Sequence, residues 1–219
     1  MQVGVDIGLR NFSLCVLGGD EVVRWELVDI VQLSGKTHIT NYKKQLRPAD
    51  IHDIAEVVFP HLFPPEWLRR SVTHFGIESQ PGGKYANPLC ILLSHLLCSY
   101  VRRQMYRSVR RAQQRLHTVR MVGAAGKYRK DWLHLAGESV KLRDYPNRKA
   151  LSVRLATVLA GVPIPTVGSS KADDLADAYL IARSFSVPGH AAAAAASNRH
   201  AARDVGEEDL RAALVVEDG

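Results

Sequence analysis

Asp6, Glu78, Asp174 and Asp177 are acids placed where acids are costly. Asp6 stands in VGVDIGLRNFSLCVL and Glu78 ends FGIESQP, both patterns of buried strands, while Asp174 and Asp177 lie in SSKADDLADAYLIARSF, a helical pattern. A carboxylate on an apolar scaffold needs compensation, and a divalent cation is the commonest source of it. Spacing of i,i+3 sets Asp174 and Asp177 on one helix face, while Ala176, Ala178, Leu180, Ile181 and Phe185 mark that helix as largely buried. Asp173 with Asp177, at i,i+4, shares a face as well. Ser170 as an N-cap gives the nearby Asp173 a capping role of its own, so Asp174 is the preferred partner.

Each acid alone has a plain explanation. Asp6 before Ile7-Gly8 can start a turn by bonding the backbone ahead of it, and Glu78 can mark the exit into the loop Ser79-Gln80-Pro81-Gly82-Gly83. The set says more than its members, because strand ends facing one crevice are where α/β sheets keep their chemistry. Hard oxygen donors with no matching His or Cys group point to Mg2+, with Mn2+ as a substitute, and away from zinc. Acids in this arrangement can hold two ions roughly 4 Å apart, one activating water for in-line attack and one stabilising a leaving 3′ oxygen. Phosphodiester hydrolysis is the reaction such a site serves.

The elements that must position these acids are legible in outline. GVDIG, FSLCVLG and EVVRWELVDI read as three strands, and the short turns at Gly8 to Asn11 and Gly18-Gly19-Asp20 make them antiparallel. A helix is predicted from about Asn41 to Leu62, ended by Pro64-Pro65, and SVTHFGIE is a fourth strand ending at Glu78. From Pro88 to about Arg111 the pattern is helical, apolar first and basic last. RLHTVRMVGA follows as a fifth strand, parallel to the fourth across that helix. Gly126 to Asn147 is polar and irregular, ALSVRLATVLA is helical, and a last helix runs from Lys171 to about Ser186. The expectation is an α/β fold with a ribonuclease H-like mixed five-stranded sheet, three antiparallel strands then helix-connected strands, and helices on both faces. Residues 1–187 form this domain, and the Ala-rich stretch 188–219 is a flexible tail.

Composition agrees with one domain of this size. The chain has 219 residues, with 29 Lys and Arg against 22 Asp and Glu, and the net charge of +7 fits a polyanionic partner. Cys15, Cys90 and Cys98 lie in apolar segments without CxxC spacing, as buried thiols of a reducing compartment do. No signal-peptide pattern and no apolar run of transmembrane length is present, so a soluble, intracellular protein without membrane contact is expected.

At the basic end of the long helix, Arg103, Arg107 and Arg110 or Arg111 recur at helical spacing and form a ridge for phosphates, with Tyr100 and Tyr106 interleaved as candidates for stacking. GKYRKDW adds Lys127, Arg129 and Lys130 as a second strip. A solvated charged face and ordinary aromatic packing are the plain alternatives. No base-reading helix is evident, so DNA shape is the expected target. The apolar half of the same helix, Leu89 to Val101, is core or dimer interface.

VDIGLRNFSL, GIESQP, NRKALSV and KADDLADAYLIA, in this order between Val3 and about Phe185, together resemble the Holliday-junction resolvases of the RuvC type. Within that family the similarity is to the branch of poxvirus and iridovirus resolvases and fungal mitochondrial cruciform-cutting enzymes. The resemblance implies that Asp6, Glu78, Asp174 and Asp177 bind two Mg2+ per site, and that Lys149 of NRKALSV, or its neighbour Arg148, faces the scissile phosphate. This motif has one basic residue fewer than the viral pattern. It further implies a homodimer that binds a four-way DNA junction and nicks two opposing strands symmetrically, in DNA recombination and repair, in the cytoplasm if viral. An actin-like phosphotransferase begins with a similar DIG strand but needs a second glycine-rich phosphate loop and a longer chain, so no nucleotide cofactor is expected. A ribonuclease H or transposase-like nuclease cutting hybrid or linear DNA shares the carboxylate chemistry and differs in surface and symmetry. The presence of all four acids speaks against a silent junction- or RNA-binding relative.

Overall fold

Near-continuous burial, covered on both faces, marks the central strands of a sheet built from β1 (Gln2–Asp6), β2 (Phe12–Gly18), β3 (Glu21–Val28), β4 (His74–Glu78) and β5 (Thr118–Val122). This computed structural model describes residues 1–80, 87–107, 117–123, 126–128, 130–133, 145–165 and 171–185. The five strands lie in the order β3-β2-β1-β4-β5. β1 pairs antiparallel with β2, and β2 with β3, whereas β1, β4 and β5 run parallel. That is the expected mixed sheet with ribonuclease H-like topology.

Around it stand α1 (Ile30–Leu33), α2 (Tyr42–Gln45), α3 (Pro48–Leu62), α4 (Pro65–Arg70), α5 (Pro88–Tyr106), α6 (Lys130–Leu133), α7 (Tyr145–Ala160) and α8 (Ala172–Arg183). Val3, Val5, Leu14, Val16, Phe75 and Ile77 cover one face of the sheet and pack on Ile51, Ile54 and Val58 of α3 and Leu93, Leu97 and Val101 of α5. Cys15, Leu17 and Trp25 cover the other, against Leu151, Leu155 and Leu159 of α7 and Leu175 and Tyr179 of α8. Each fully buried aliphatic side chain of this kind contributes about 1.5–3 kcal/mol. All three cysteines are free and buried. No helix among the described residues is long and apolar enough to cross a membrane.

The helix expected without a break from Asn41 is two helices. Leu46 and Arg47 are extended, at ψ 136° and 162°, because the proline at position 48 disfavours helical backbone in the residue before it. Pro48 then opens α3, where Asp50 accepts a hydrogen bond from the Arg47 N–H at 2.9 Å. Pro65 likewise opens α4 instead of only ending the helix before it. α7 starts at Tyr145, inside the stretch expected to be irregular. The segment 188–219, expected as a tail, lies outside the described residues.

α8 approaches the sheet unusually closely, and two glycines in register, Gly4 and Gly76, make room for it. A Cβ on Gly4 would stand 2.0 Å from the Ala178 carbonyl oxygen and 2.4 Å from the Ala182 nitrogen; one on Gly76 would meet the Ile181 side chain at 2.6 Å. The start of the helix is pinned from the other strands. Ser13 Oγ donates to the Asp174 carbonyl at 2.8 Å and Trp25 Nε1 to the Leu175 carbonyl at 2.8 Å, while the Trp25 ring lies 5.1 Å from that of Tyr179. At the far end the fully buried Arg183 pairs with Asp20 in the turn between β2 and β3.

Candidate active site

Asp6 ends β1 and Glu78 ends β4, parallel neighbours in which Val5 stands beside Ile77, so both carboxyls leave the sheet at one edge. Because α8 crosses over Gly4 with Ala178, the residue before it, Asp177, comes down on the same edge. Lys127, just beyond β5, completes the cluster. Its Nζ donates to Glu78 Oε1 at 2.9 Å and pairs with Asp177. Asp6 is 8% exposed and Lys127 4%.

The charges in this space are strongly coupled. Burial pushes the Asp6 carboxyl well above the aspartate range, and the charges of Glu78 and Asp177 push it further. Burial pulls Glu78 upward too, but the hydrogen bond with Asp6 and the Lys127 ammonium outweigh it and hold Glu78 below its ordinary value. Of the two hydrogen-bonded carboxyls, Asp6 is therefore the one that holds a proton more readily. Burial also raises Asp177, against the opposing pull of Lys127. Lys127 itself would be lowered by burial, yet Asp177, Glu78 and Asp6 carry it above the lysine range. One oxygen of Asp177, Oδ1, is buried without a hydrogen-bond partner among the described residues. The nearby Ser152 hydroxyl, which also helps to lower Asp177, bonds Tyr128 Oη at 2.6 Å and the Arg148 carbonyl at 3.1 Å.

Three hard oxygen donors, one with an unmet lone pair, gathered about a single cation make a set chemically suited to Mg2+ or Mn2+. As they stand, no three acidic, His or Cys side chains among the described residues close into an ion cage. The Lys127 ammonium is among them instead.

Asp174 lies one turn before Asp177, half-buried at the rim. Burial and then the charge of Asp173 push its pKa up to about 6. Asp173 pairs with Lys149 of α7. The N-cap of α8 is Lys171, with no side-chain capping bond, and Ser170 lies outside the described residues. Asp173 thus holds the lysine of NRKALSV near the acids.

These shifts give a pH dependence of definite sign. Asp174 binds its proton more tightly in the folded chain than at its ordinary 3.8, so between there and about 6 the folded state carries more protons than the unfolded one. Its contribution to stability is full at the acidic end of that window and is lost as pH rises through about 6. Thermal unfolding in EDTA should show a melting temperature that falls across this range, and Asp174→Asn should flatten the slope. An unchanged slope in the variant contradicts the assignment.

The basic residues distribute differently from the sequence expectation. α5 is the crossover between parallel strands β4 and β5, so it runs antiparallel to them and delivers its C-terminal end to the start of β5. There Arg102 Nη2 donates to the Val119 carbonyl at 3.3 Å and Tyr106 Oη to that of His117 at 3.5 Å. Arg103 and Arg107 are exposed at this end, opposite the acids. Tyr100 donates its hydroxyl to the Phe63 carbonyl at 2.9 Å and is a packing residue, not a free stacking platform. Arg110, Arg111 and Arg129 lie outside the described residues, as does the side chain of Lys130. Lys127, expected on a surface strip, is instead interior: the exit of β5 carries it to the acid edge, where carboxylates compensate its buried charge.

Arg10 went unnoticed in the sequence. Its side chain is 61% exposed on the turn that follows Asp6, its guanidinium 4.9 Å from the Tyr42 ring centre and its Nε 3.9 Å from Asp29. Asp29 in turn caps α1 through the Val31 and Gln32 N–H groups and accepts from Tyr42 Oη at 2.7 Å. DIGLR already put an arginine on the turn beside Asp6; what could not be read was the pair of partners that fix it. Ser13 and Trp25, which pin α8, were equally silent because their partners are backbone carbonyls.

No protein-family model matches the chain, and no curated protein matches it. Among solved structures it is similar to the Thermus thermophilus RuvC structure, with a TM-score of 0.44 and 15% identity over 83% of this chain and 90% of that one. It is also similar to T. thermophilus RuvC in complex with Holliday junction substrate, with a TM-score of 0.43 and 16% identity over 84% of this chain and 92% of the other.

Proposed function

We propose that this chain is a metal-dependent DNA endonuclease that resolves four-way junctions. The observation that carries the nuclease reading is the meeting of Asp6, Glu78 and Asp177, from β1, β4 and α8, at one edge of the sheet around a buried cation. In this reading these three, with Asp174 at the rim, hold Mg2+ or Mn2+, two ions per site. The metal supplies a polarised phosphate and an activated water. Ser13 and Trp25 fix the start of α8 and so the placement of Asp177. Lys149, steadied by Asp173, supplies positive charge for a phosphate in reach of the site.

The junction as substrate rests on the ordered motifs VDIGLRNFSL, GIESQP and KADDLADAYLIA, which also support the branch of viral and fungal mitochondrial resolvases. Paired symmetric nicks need two sites related by a two-fold axis, which a homodimer supplies. Purified protein with Mg2+ is expected to convert a synthetic four-way junction into nicked duplexes while cutting a linear duplex far more slowly. Equal cleavage of both indicates a general ribonuclease H-like nuclease. Cleavage of neither contradicts the nuclease reading.

Arg10 is a pre-positioned cation on the acid edge, so Arg10→Ala should weaken junction binding about three- to tenfold and lower the salt slope of binding by about one. Fluorescence anisotropy across a KCl series, with Ca2+ to prevent cutting, measures both. Unchanged affinity removes Arg10 from the DNA face.

A further inference from the structure

We infer that Lys127 is a resident counter-cation of the carboxylate centre: its ammonium holds Glu78 and Asp177 together in the metal-free protein and competes with the incoming metal for their oxygens. The inference rests on the metal-site reading above and goes beyond it, since it assigns a lysine the task of setting metal affinity.

Three carboxylates gathered in a buried space repel, and a lysine buried alone is unfavourable; together they offset each other. Lys127 meets both conditions. It is 4% exposed, bonds Glu78 Oε1 at 2.9 Å and pairs with Asp177. Its backbone is fixed on either side. Tyr128 Oη is anchored to Ser152 Oγ at 2.6 Å and to the Arg148 carbonyl at 3.1 Å, and the Gly126 N–H closes a turn on the Gly123 carbonyl at 2.7 Å. Its neighbour Tyr128 is thus anchored, and the flexible Lys127 side chain is the part that gives way. A metal that takes up the Glu78 and Asp177 oxygens must displace the ammonium from them, so its observed affinity is lower than these acids would give without the lysine.

Two measurements without DNA test this. Lys127→Met keeps the length of the chain and removes the charge. The variant is expected to melt at a lower temperature than wild type in EDTA and to bind Mn2+, followed by electron paramagnetic resonance, at least about tenfold more tightly, about 1.4 kcal/mol. Equal or weaker Mn2+ binding overturns the inference. Should the variant fail to fold, the wild type decides. Amine acetylation read by mass spectrometry should spare Lys127 in EDTA and modify it at saturating Mn2+; continued protection in the presence of the metal overturns the inference. Mn2+ binding that follows this pattern in a protein that leaves junctions uncut contradicts only the nuclease reading. Junction cleavage with unchanged Mn2+ affinity in Lys127→Met contradicts only the counter-cation.

Discussion

Asp6→Asn is expected to lower DNA cleavage by at least about a thousandfold, on the order of 4 kcal/mol in the barrier, with little loss of stability. The separation of the two effects follows from the protonation of the site. In the metal-free protein Asp6 is the carboxyl pushed toward its protonated form and is hydrogen-bonded to Glu78. The asparagine amide has the same shape and keeps that bond, so folding is preserved. What it cannot do is become an anionic oxygen ligand, which is the form a divalent metal requires. Steady-state cleavage of a labelled junction measures the first effect, and thermal melting in EDTA the second. Cleavage within tenfold of wild type removes Asp6 from the metal site; a collapsed melting temperature shows that its role is structural.

Gly4→Ala should cost about 3 kcal/mol of stability, near the upper end of what overpacking costs. The added methyl would lie 2.0 Å from the Ala178 carbonyl oxygen and 2.4 Å from the Ala182 nitrogen, both backbone atoms of α8 that no rotamer change can move. Relief requires the helix to lift off β1, which also carries Asp177 away from Asp6 and Glu78. Gly76→Ala provides the contrast. Its new methyl meets Ile181 Cγ2 at 2.6 Å and the Phe185 ring at 2.9 Å, side chains that can turn aside, so the cost there is about 1 kcal/mol. Urea unfolding of the two variants should show the larger drop at position 4. The reverse order contradicts the close seating of α8 on β1 as the device that places Asp177.

Periodicity and turn chemistry made most of the scaffold legible in the sequence. GVDIG and FGIE are short apolar runs that end as buried strands, the Gly18-Gly19-Asp20 turn forces an antiparallel pair, and the ADDLADAYLIAR helix carries its acids at helical spacing. Those signals are local, and the sheet order follows from them by connection length alone. Features that depend on how distant elements cross were not legible. Arg103 and Arg107 read as a DNA ridge in one dimension; that the crossover direction of α5 sets this exposed pair at the end of the sheet away from the acids is visible only in three. Lys127 reads as one more loop cation until the exit of β5 is seen to bring it between Glu78 and Asp177. Prolines misled in a different way: Pro48 reads as an interior position of one long helix and Pro65 only as the end of it, whereas each occupies the first turn of a helix, where its missing N–H costs nothing. Of the acids, Asp6, Glu78 and Asp177 share the Lys127 ammonium, while Asp174 stands a turn away with Asp173 and Lys149.

Manganese located by its anomalous X-ray scattering in crystals of the protein tests the account most directly. Density for the ion bounded by the side-chain oxygens of Asp6, Glu78 and Asp177, with the Lys127 ammonium withdrawn from them, is the predicted result. Ordered manganese elsewhere on the chain, with Lys127 still bonded to Glu78, contradicts it.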